Sequence, residues 1–481
     1  MDVNGRVDFG DIQGLVVRGY GHLHAASYLL LRITDRPRSQ AALRDLAGMV
    51  TYADLHPDDL ATNLAVTHHG LVDLGIEQGI LERFSNEFRS GMTTPHKRRI
   101  LGDVAESAPE HWLWGGPETT QVDLLLMVFA RDDALLKAHV QRLQDGIPDQ
   151  GLELIAHLET FTLPDFREHF GFRDSIGQPY VAEFGRHGRR RPDPVPLGEF
   201  LLGYPNGYER YTDRPLIEPG EDPHDMLPPD PEGSSRKDLG LNGTYLVFRQ
   251  LSQDVPGFWR AMMHQSQLHP EWEPIQLASK MVGRWPSGTA LVQSPDKDRP
   301  EQEDKDDFLY HDADAEGLKC PLGAHIRRTH PRDSLEPEPG SEKSIAFSNR
   351  HRLLRRGRVY GPPYDISMDP SSILKNLERE DEPVARGLHF ICLNANIGRQ
   401  FEFVQHTWAN NPNFNGLHHD PDPIIGARTA YGRPQEDFTI QRQPARCRLQ
   451  GLPSFIQTRG GGYFFLPGRR ALHYLLSGDA S

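Results

Sequence analysis

Between residues 27 and 161 the chain alternates apolar runs with amphipathic ones in a single order. SYLLLRIT (27–34) reads as a buried strand, and SQAALRDLAGMV (39–50) carries its apolar residues at helical spacing. NLAVTH (63–68) is a second strand and QVDLLLMVFA (121–130) a third. RDDALLKAHVQRLQD (131–145) is a second helix and LELIAHLETF (152–161) a fourth strand. A β-α-β unit followed by another predicts a ferredoxin-like antiparallel sheet with helices on one face.

The second half partly repeats this order at greater length. GTYLVFRQL (243–251) is a strand, and Asp254 with Pro256 signals the start of a helix through GFWRAMMHQ. LHFICLNANI (388–397) is a strand, GRQFEFVQHTWA (398–409) a helix, and the stretch from 453 to 467 a terminal hairpin or strand pair. The expected organisation is an N-terminal domain over 1–185, a Pro/Gly-rich connector over 186–240 and a C-terminal domain over 241–481. The acidic run SPDKDRPEQEDKDDFLYHDADAE (294–316) reads as a solvated, flexible insertion, though its charge also admits Mn(II).

Composition removes several classes of function. There are 53 basic against 67 acidic residues, a net charge of −14, which argues against a phosphate backbone as the main partner. Three cysteines make no disulfide framework and suit a reducing compartment. The opening MDVNGRVDFGDIQG lacks the pattern of a signal peptide, and no apolar run is long enough to cross a bilayer. A cytoplasmic protein without membrane partners is expected.

Chemistry concentrates in KCPLGAHIRRTHPRD (319–333). Cys320, His325 and His330 follow a C-x4-H-x4-H spacing, but structural zinc wants a fourth ligand and none lies nearby. Arg327, Arg328 and Arg332 could meet phosphates, without the aromatic residues that nucleic-acid surfaces interleave. A core histidine is the default for His325. The fourth reading is a haem ligand, because the two propionates of haem need nearby cations and HIRR supplies both groups. HH at 68–69 and LHHDPDP (417–423) add histidines; His418, His419 and Asp420 offer ligand chemistry, but a polar turn accounts for them.

The segment CPLGAHIRRTHPRD resembles the proximal-histidine region of dye-decolorizing peroxidases, haem enzymes with paired ferredoxin-like domains. Further segments agree in order: DIQGLVVRGY (11–20), HFGFRDSIGQP (169–179), FLLGYPNGY with YTDRPLI (200–217), LNGTYLVFRQLSQDVPGFW (241–259), RGLHFICLNANIGRQFEFVQHTWANNP (386–412) and TRGGGYFFLPG (458–468). The resemblance runs from Asp11 to Gly468. It implies an α+β fold of two ferredoxin-like domains, with haem b in the C-terminal domain facing the domain interface. His325 would be the axial iron ligand, Asp174 the distal acid/base and Arg355 the distal arginine, with Arg356 the neighbouring alternative. Leu388 and Phe390 resemble the apolar pair lining the distal pocket. Arg327, Arg332 and His169 are candidate propionate partners, and Glu402 a candidate acceptor for the second N–H of His325.

The resemblance implies a peroxidase that uses hydrogen peroxide to oxidise dyes, phenols or other bulky aromatic donors by one-electron steps through a ferryl intermediate. An aspartate base implies an optimum on the acid side of neutrality. One departure stands out. Ser175 replaces the second glycine of the family's GxxDG segment, so a serine must take a left-handed backbone at a cost of about 1 kcal/mol. A compromised distal side would instead leave a haem-binding or haem-handling protein with weak turnover.

Overall fold

A computed structural model describes residues 7–185, 193–302, 305–377, 384–429 and 436–477. Nine strands form one antiparallel sheet. They are β1 (Ala25–Ile33), β2 (Leu60–Val66), β3 (Leu124–Ala130), β4 (Leu152–Glu159), β5 (Thr244–Gln253), β6 (Leu354–Arg355), β7 (Arg358–Tyr360), β8 (Gly387–Asn394) and β9 (Ile456–Leu466). Their order is β4-β1-β3-β2-β9-β5-β8-β6, with β7 also on β8. The first four strands carry the 4-1-3-2 order of a ferredoxin-like unit, with α1 (Arg36–Ala47) and α2 (Asp133–Gly146) as its crossovers. Both helices start where the sequence supplies a cap: Asp35 accepts the Arg38 N–H, and Asp132 the Leu135 N–H.

The second unit repeats that order, with β9, β5, β8 and the short pair β6/β7 in the corresponding places. α3 (Val255–Leu268) begins at Asp254, whose side chain accepts the Gly257 N–H, with Pro256 in its first turn. The basic strand pair β6/β7 was not anticipated, because RLLRRGRVYG has too few apolar residues to read as a strand. The helix over 398–409 closes with i→i−5 bonds, Glu402 N–H to Ile397 O and Asn410 N–H to Gln405 O. Such widened turns put more side chains against one wall than an α-helix does.

The two half-sheets join where Phe465 of β9 pairs with Val66 of β2. Tyr28 on β1 and Phe248 on β5 lie four strand spacings apart in the order, about 19 Å in a flat sheet. Their ring centroids are 5.7 Å apart, so the sheet rolls and its halves face each other. The roll closes at its edges: Phe161 N–H, just after β4, donates to Val359 O of β7 at 2.8 Å. His389 Nε2 of β8 donates to Glu159 O at 3.2 Å. Inside the roll Tyr28, Leu30, Met127 and Phe129 meet Leu246, Phe248, Ile391 and Leu393. On the outer face of the first unit, Leu43, Leu46, Leu136 and Val140 of the helices cover Leu29, Leu31, Leu126 and Val128.

The connector also enters this core, since Phe200, Leu201 and Leu202 have no exposed surface. The acidic run is not a solvated insertion throughout. Asp306 is buried on Arg284 and Arg332, and Asp314 on Arg327. Two of its residues, 303 and 304, lie outside the described residues. Among the described residues no helix is long and apolar enough to cross a membrane.

Two histidines, His169 and His389, are built into the joints between the halves, and a third, His351, is buried within the second half. His169 donates through Nε2 to Tyr360 O at 2.8 Å, and His351 stacks on Phe403 with ring centroids 3.9 Å apart. Burial lowers His169, His351 and His389 from the usual imidazole range to about 4. A lowered folded value means stability that is present above the unfolded value of about 6.5 and lost as pH falls toward 4. Each histidine then contributes at most on the order of 3 kcal/mol. Urea unfolding at pH 7 and pH 5 is expected to show a lower midpoint at pH 5, with net proton uptake on unfolding. His389→Gln is expected to flatten that dependence, and an unchanged slope would count against the seam histidines.

Candidate active site

On the outer face of the second unit the covering elements stand away from the sheet and leave a cavity of about 510 Å³. Its size lies within the range of small-molecule and cofactor sites. Alternation along β8 decides which side chains reach it. His389 and Ile391 point into the roll, while Leu388 and Phe390 line the cavity. Ile326, Phe401, Val404, Ile424 and Ile425 complete much of the apolar wall.

His325 opens a short helix, His325–Thr329, and lines the cavity. Its Nδ1 lies 3.0 Å from Asp422 Oδ2 and 3.2 Å from Oδ1, which leaves Nε2 as the nitrogen presented to the cavity. The Asp422 side chain is fully buried, and its Oδ1 also accepts the Ile424 and Ile425 N–H groups at 2.8 and 3.0 Å. Burial alone would raise its carboxyl. The neighbouring His325 ring, the Arg328 guanidinium and the backbone donors outweigh that and hold it below the usual carboxylate range.

Asp422 stands where Glu402 was expected. Glu402 is instead taken up by Lys97 Nζ at 2.6 Å and the Tyr463 hydroxyl at 2.9 Å, beneath the helix that carries it. The sequence signal for Asp422 was the segment LHHDPDP, read as a polar turn. Its two aspartates are both fully buried, Asp420 accepting the Thr439 N–H at 2.9 Å.

A loop of the first unit brings the second acidic group. Asp174 lines the cavity, and its Oδ1 lies 3.5 Å from Arg355 Nη2. Gln178 holds the two halves together here: its Oε1 accepts the Arg355 N–H at 3.1 Å, and its Nε2 donates to Arg355 O at 3.3 Å. Arg356, the neighbouring alternative, points the other way and donates to Leu15 O and Val16 O, both at 2.7 Å. Ser175 has φ +69°, the left-handed conformation expected at this position. Glu168 shapes the same loop by accepting the Phe170 and Phe172 N–H groups, at 2.9 and 3.3 Å, and Gln253 Nε2 at 2.7 Å. Burial, with Asp174 adding to it, raises Glu168 to about 7. Nothing in its residue type marked it beforehand.

The remaining expected contacts divide. Arg332 lies on the cavity wall, with Nη2 on Asp306 at 2.5 Å and Nη1 on Phe308 O at 2.9 Å. Arg327 is off the wall: fully buried, it needs a counter-charge and finds it in Asp314 at 3.0 Å. His169 is also off the wall, on Tyr360. The Cys320, His325 and His330 spacing closes no metal site. Cys320 packs in a separate apolar cluster, and the His330 Nε2 accepts from Arg352 Nη1 at 2.7 Å.

Comparison with known proteins decides the family. The chain matches no family model. It is 32% identical to the multifunctional dye peroxidase DyP2 of Amycolatopsis sp., over 91% of this chain and 90% of that one. A dye-decolorizing peroxidase of Mycena epipterygia is 31% identical, over 85% and 74%. The chain belongs to the dye-decolorizing peroxidase family. Solved structures share the fold: the Anabaena DyP-type peroxidase superposes with a TM-score of 0.74 at 24% identity, covering 97% of this chain and 94% of that one. A dye-decolorizing peroxidase in complex with 2,6-dimethoxyphenol gives 0.74 at 23%, covering 99% and 100%. As a dye-decolorizing peroxidase the chain is an oxidoreductase acting on peroxide, of a family of haem enzymes.

The two carboxylates proposed for His325 are separable by substitution. Asp422→Asn is expected to weaken haem retention or peroxide reactivity about 10–100-fold, the usual effect of losing an outer partner of a metal ligand. Glu402→Gln is expected to leave the Soret spectrum unchanged. A spectrum altered by Glu402→Gln and not by Asp422→Asn would reverse the assignment.

Proposed function

We propose that the cavity holds haem b with His325 Nε2 on the iron, and that the enzyme uses hydrogen peroxide to oxidise dyes, phenols and other bulky aromatic donors one electron at a time. The carrying observation is one apolar cavity lined both by a histidine whose other nitrogen is fixed on a buried carboxylate and by an Asp–Arg pair. The fit to haem rests on this donor set and on size. Among the described residues no cysteine lines the cavity, which favours haem held by coordination and packing over thioether attachment. Arg332, with Arg352 and Arg428 on the same wall, supplies positive charge for propionates.

When bound, the haem supplies the iron that exchanges electrons with peroxide and donor. The chain's own groups handle protons and charge. Arg355 engages Oδ1 of Asp174 and leaves Oδ2 to take a proton from one oxygen of peroxide and return it to the other. The Arg355 guanidinium keeps a fixed positive charge beside the oxygen that gains electron density as the bond breaks. Asp422 holds the His325 ring in one orientation, so its Nε2 lone pair stays aimed into the cavity. Leu388 and Phe390 exclude water from that wall, which strengthens both charge interactions.

The 2,6-dimethoxyphenol bound by the related enzyme supports a phenolic donor class. The three described cysteines are all free and buried, which supports a reducing, cytoplasmic setting. The net charge of −14 favours neither nucleic acid nor an anionic membrane surface as a partner.

Stopped-flow mixing of the ferric protein with peroxide tests the reading. Asp174→Asn is expected to slow the Soret change about 10²–10⁴-fold, and Arg355→Leu about 10²–10³-fold, with haem content retained in both. Loss of the Soret band in Arg355→Leu would make that arginine a haem anchor. Unaltered rates in Asp174→Asn would remove the aspartate from proton transfer. An inert wild-type spectrum would leave a haem-handling protein.

A further inference from the structure

Away from the cavity, three side chains with different ligand chemistry converge where α3 ends. His269 follows the last helical residue, its N–H closing on Gln265 O at 2.9 Å, and Glu271 lies two residues on. Cys447 opens the strand Cys447–Leu449, which pairs antiparallel with Phe438–Ile440. Cys447 Sγ lies 3.4 Å from His269 Nδ1, and one ligand atom from each of the three residues lies within 4.8 Å of the others. A tetrahedral zinc with bonds of about 2.3 Å to sulfur and 2.0–2.1 Å to nitrogen holds those two atoms about 3.6 Å apart. The pair is already at ligand spacing.

The third donor is oriented from outside. Arg442 Nη1 binds Glu271 Oε1 at 2.5 Å, which leaves Oε2 for a second partner. Arg442 is itself placed by Ala445 O, at 3.3 Å from its Nε, and by the Trp272 ring, 5.4 Å from its Cζ. A hydrogen-bonded carboxylate of this kind is the usual outer support of a metal ligand.

We propose that Cys447 Sγ, His269 Nδ1 and the Glu271 carboxylate bind a thiophilic divalent cation, zinc by donor type, with water completing four-coordination. A mixed sulfur, nitrogen and oxygen set selects zinc over magnesium or calcium, which take oxygen ligands. Binding breaks the Cys447 S–H bond, forms the sulfur–metal bond and releases one proton to solvent. Burial raises that thiol, with Arg442 opposing and Glu271 adding to the effect, so affinity should climb with pH. The ion would tie the end of α3 to the hairpin 438–449. That hairpin in turn supports both segments behind His325: Thr439 N–H donates to Asp420, and Gln441 Oε1 accepts the Leu322 N–H.

Calorimetric titration of the metal-stripped holoprotein with zinc chloride is expected to show one saturable site. Its affinity should rise about tenfold per pH unit below the thiol's ionisation. Cys447→Ser and His269→Ala are each expected to abolish it, with the Soret spectrum reporting an intact fold. Zinc should also slow iodoacetamide modification of Cys447, which keeps 5% exposure, read by mass spectrometry against Cys320 and Cys392 at 1% and 0%. No saturable binding, binding that survives both substitutions, or alkylation indifferent to zinc would each overturn the site and leave a thiol–imidazole hydrogen bond.

Discussion

The candidate active site exists because the sheet rolls. Asp174 belongs to the first ferredoxin-like unit and Arg355 to the second, and they lie 3.5 Å apart. In a flat sheet no short contact could join these units except along β2 and β9. Closure at Phe161–Val359 and His389–Glu159 turns the far edges toward each other. The two-way clamp of Gln178 on the Arg355 backbone then fixes the loop that carries Asp174. The geometry of this Asp–Arg pair is a product of fold closure, and weakening the seam should loosen the pair before it empties the core.

The other wall of the cavity is held by charge. A buried carboxylate is costly unless neutralised and hydrogen-bonded, and Asp422 meets both demands through His325, Arg328 and two backbone N–H groups. The same logic governs the arginines that the resemblance made candidate propionate partners. Arg327 takes Asp314, and Arg332 takes Asp306. The acidic run, solvated on a reading by composition, supplies the counter-charges that let this arginine-rich segment be buried at all.

What could be read in the sequence follows from the range of the interaction involved. The first unit was legible because strand and helix periodicities are local, and the start signal at Asp254 in the second unit is local too. His325, Asp174, Leu388 and Phe390 were legible through motif resemblance and strand alternation, and the structure places all four on the same cavity. Glu402 failed and Asp422 was missed because the acceptor of His325 lies 97 residues downstream. No periodicity links the two, and both candidates are acidic residues near aromatic helices or turns. The strand pair β6/β7 was hidden for a different reason. Its arginines serve the cavity and the Leu15–Val16 carbonyls, so function displaced the apolar pattern by which strands are recognised.

These constraints set the chemistry and the scaffold against each other in acid. As residue types, carboxylates ionise roughly 2–3 pH units below imidazoles. The joints between the halves rely on neutral imidazoles at His169 and His389, whose burial makes acid destabilising. Stability therefore drains away over the acid range that a carboxylate base, as proposed here, would suit. The acid limit of activity should then be set by opening of the seam between the halves, and a variant with the seam histidines made non-titrating would extend activity downward without any change at Asp174.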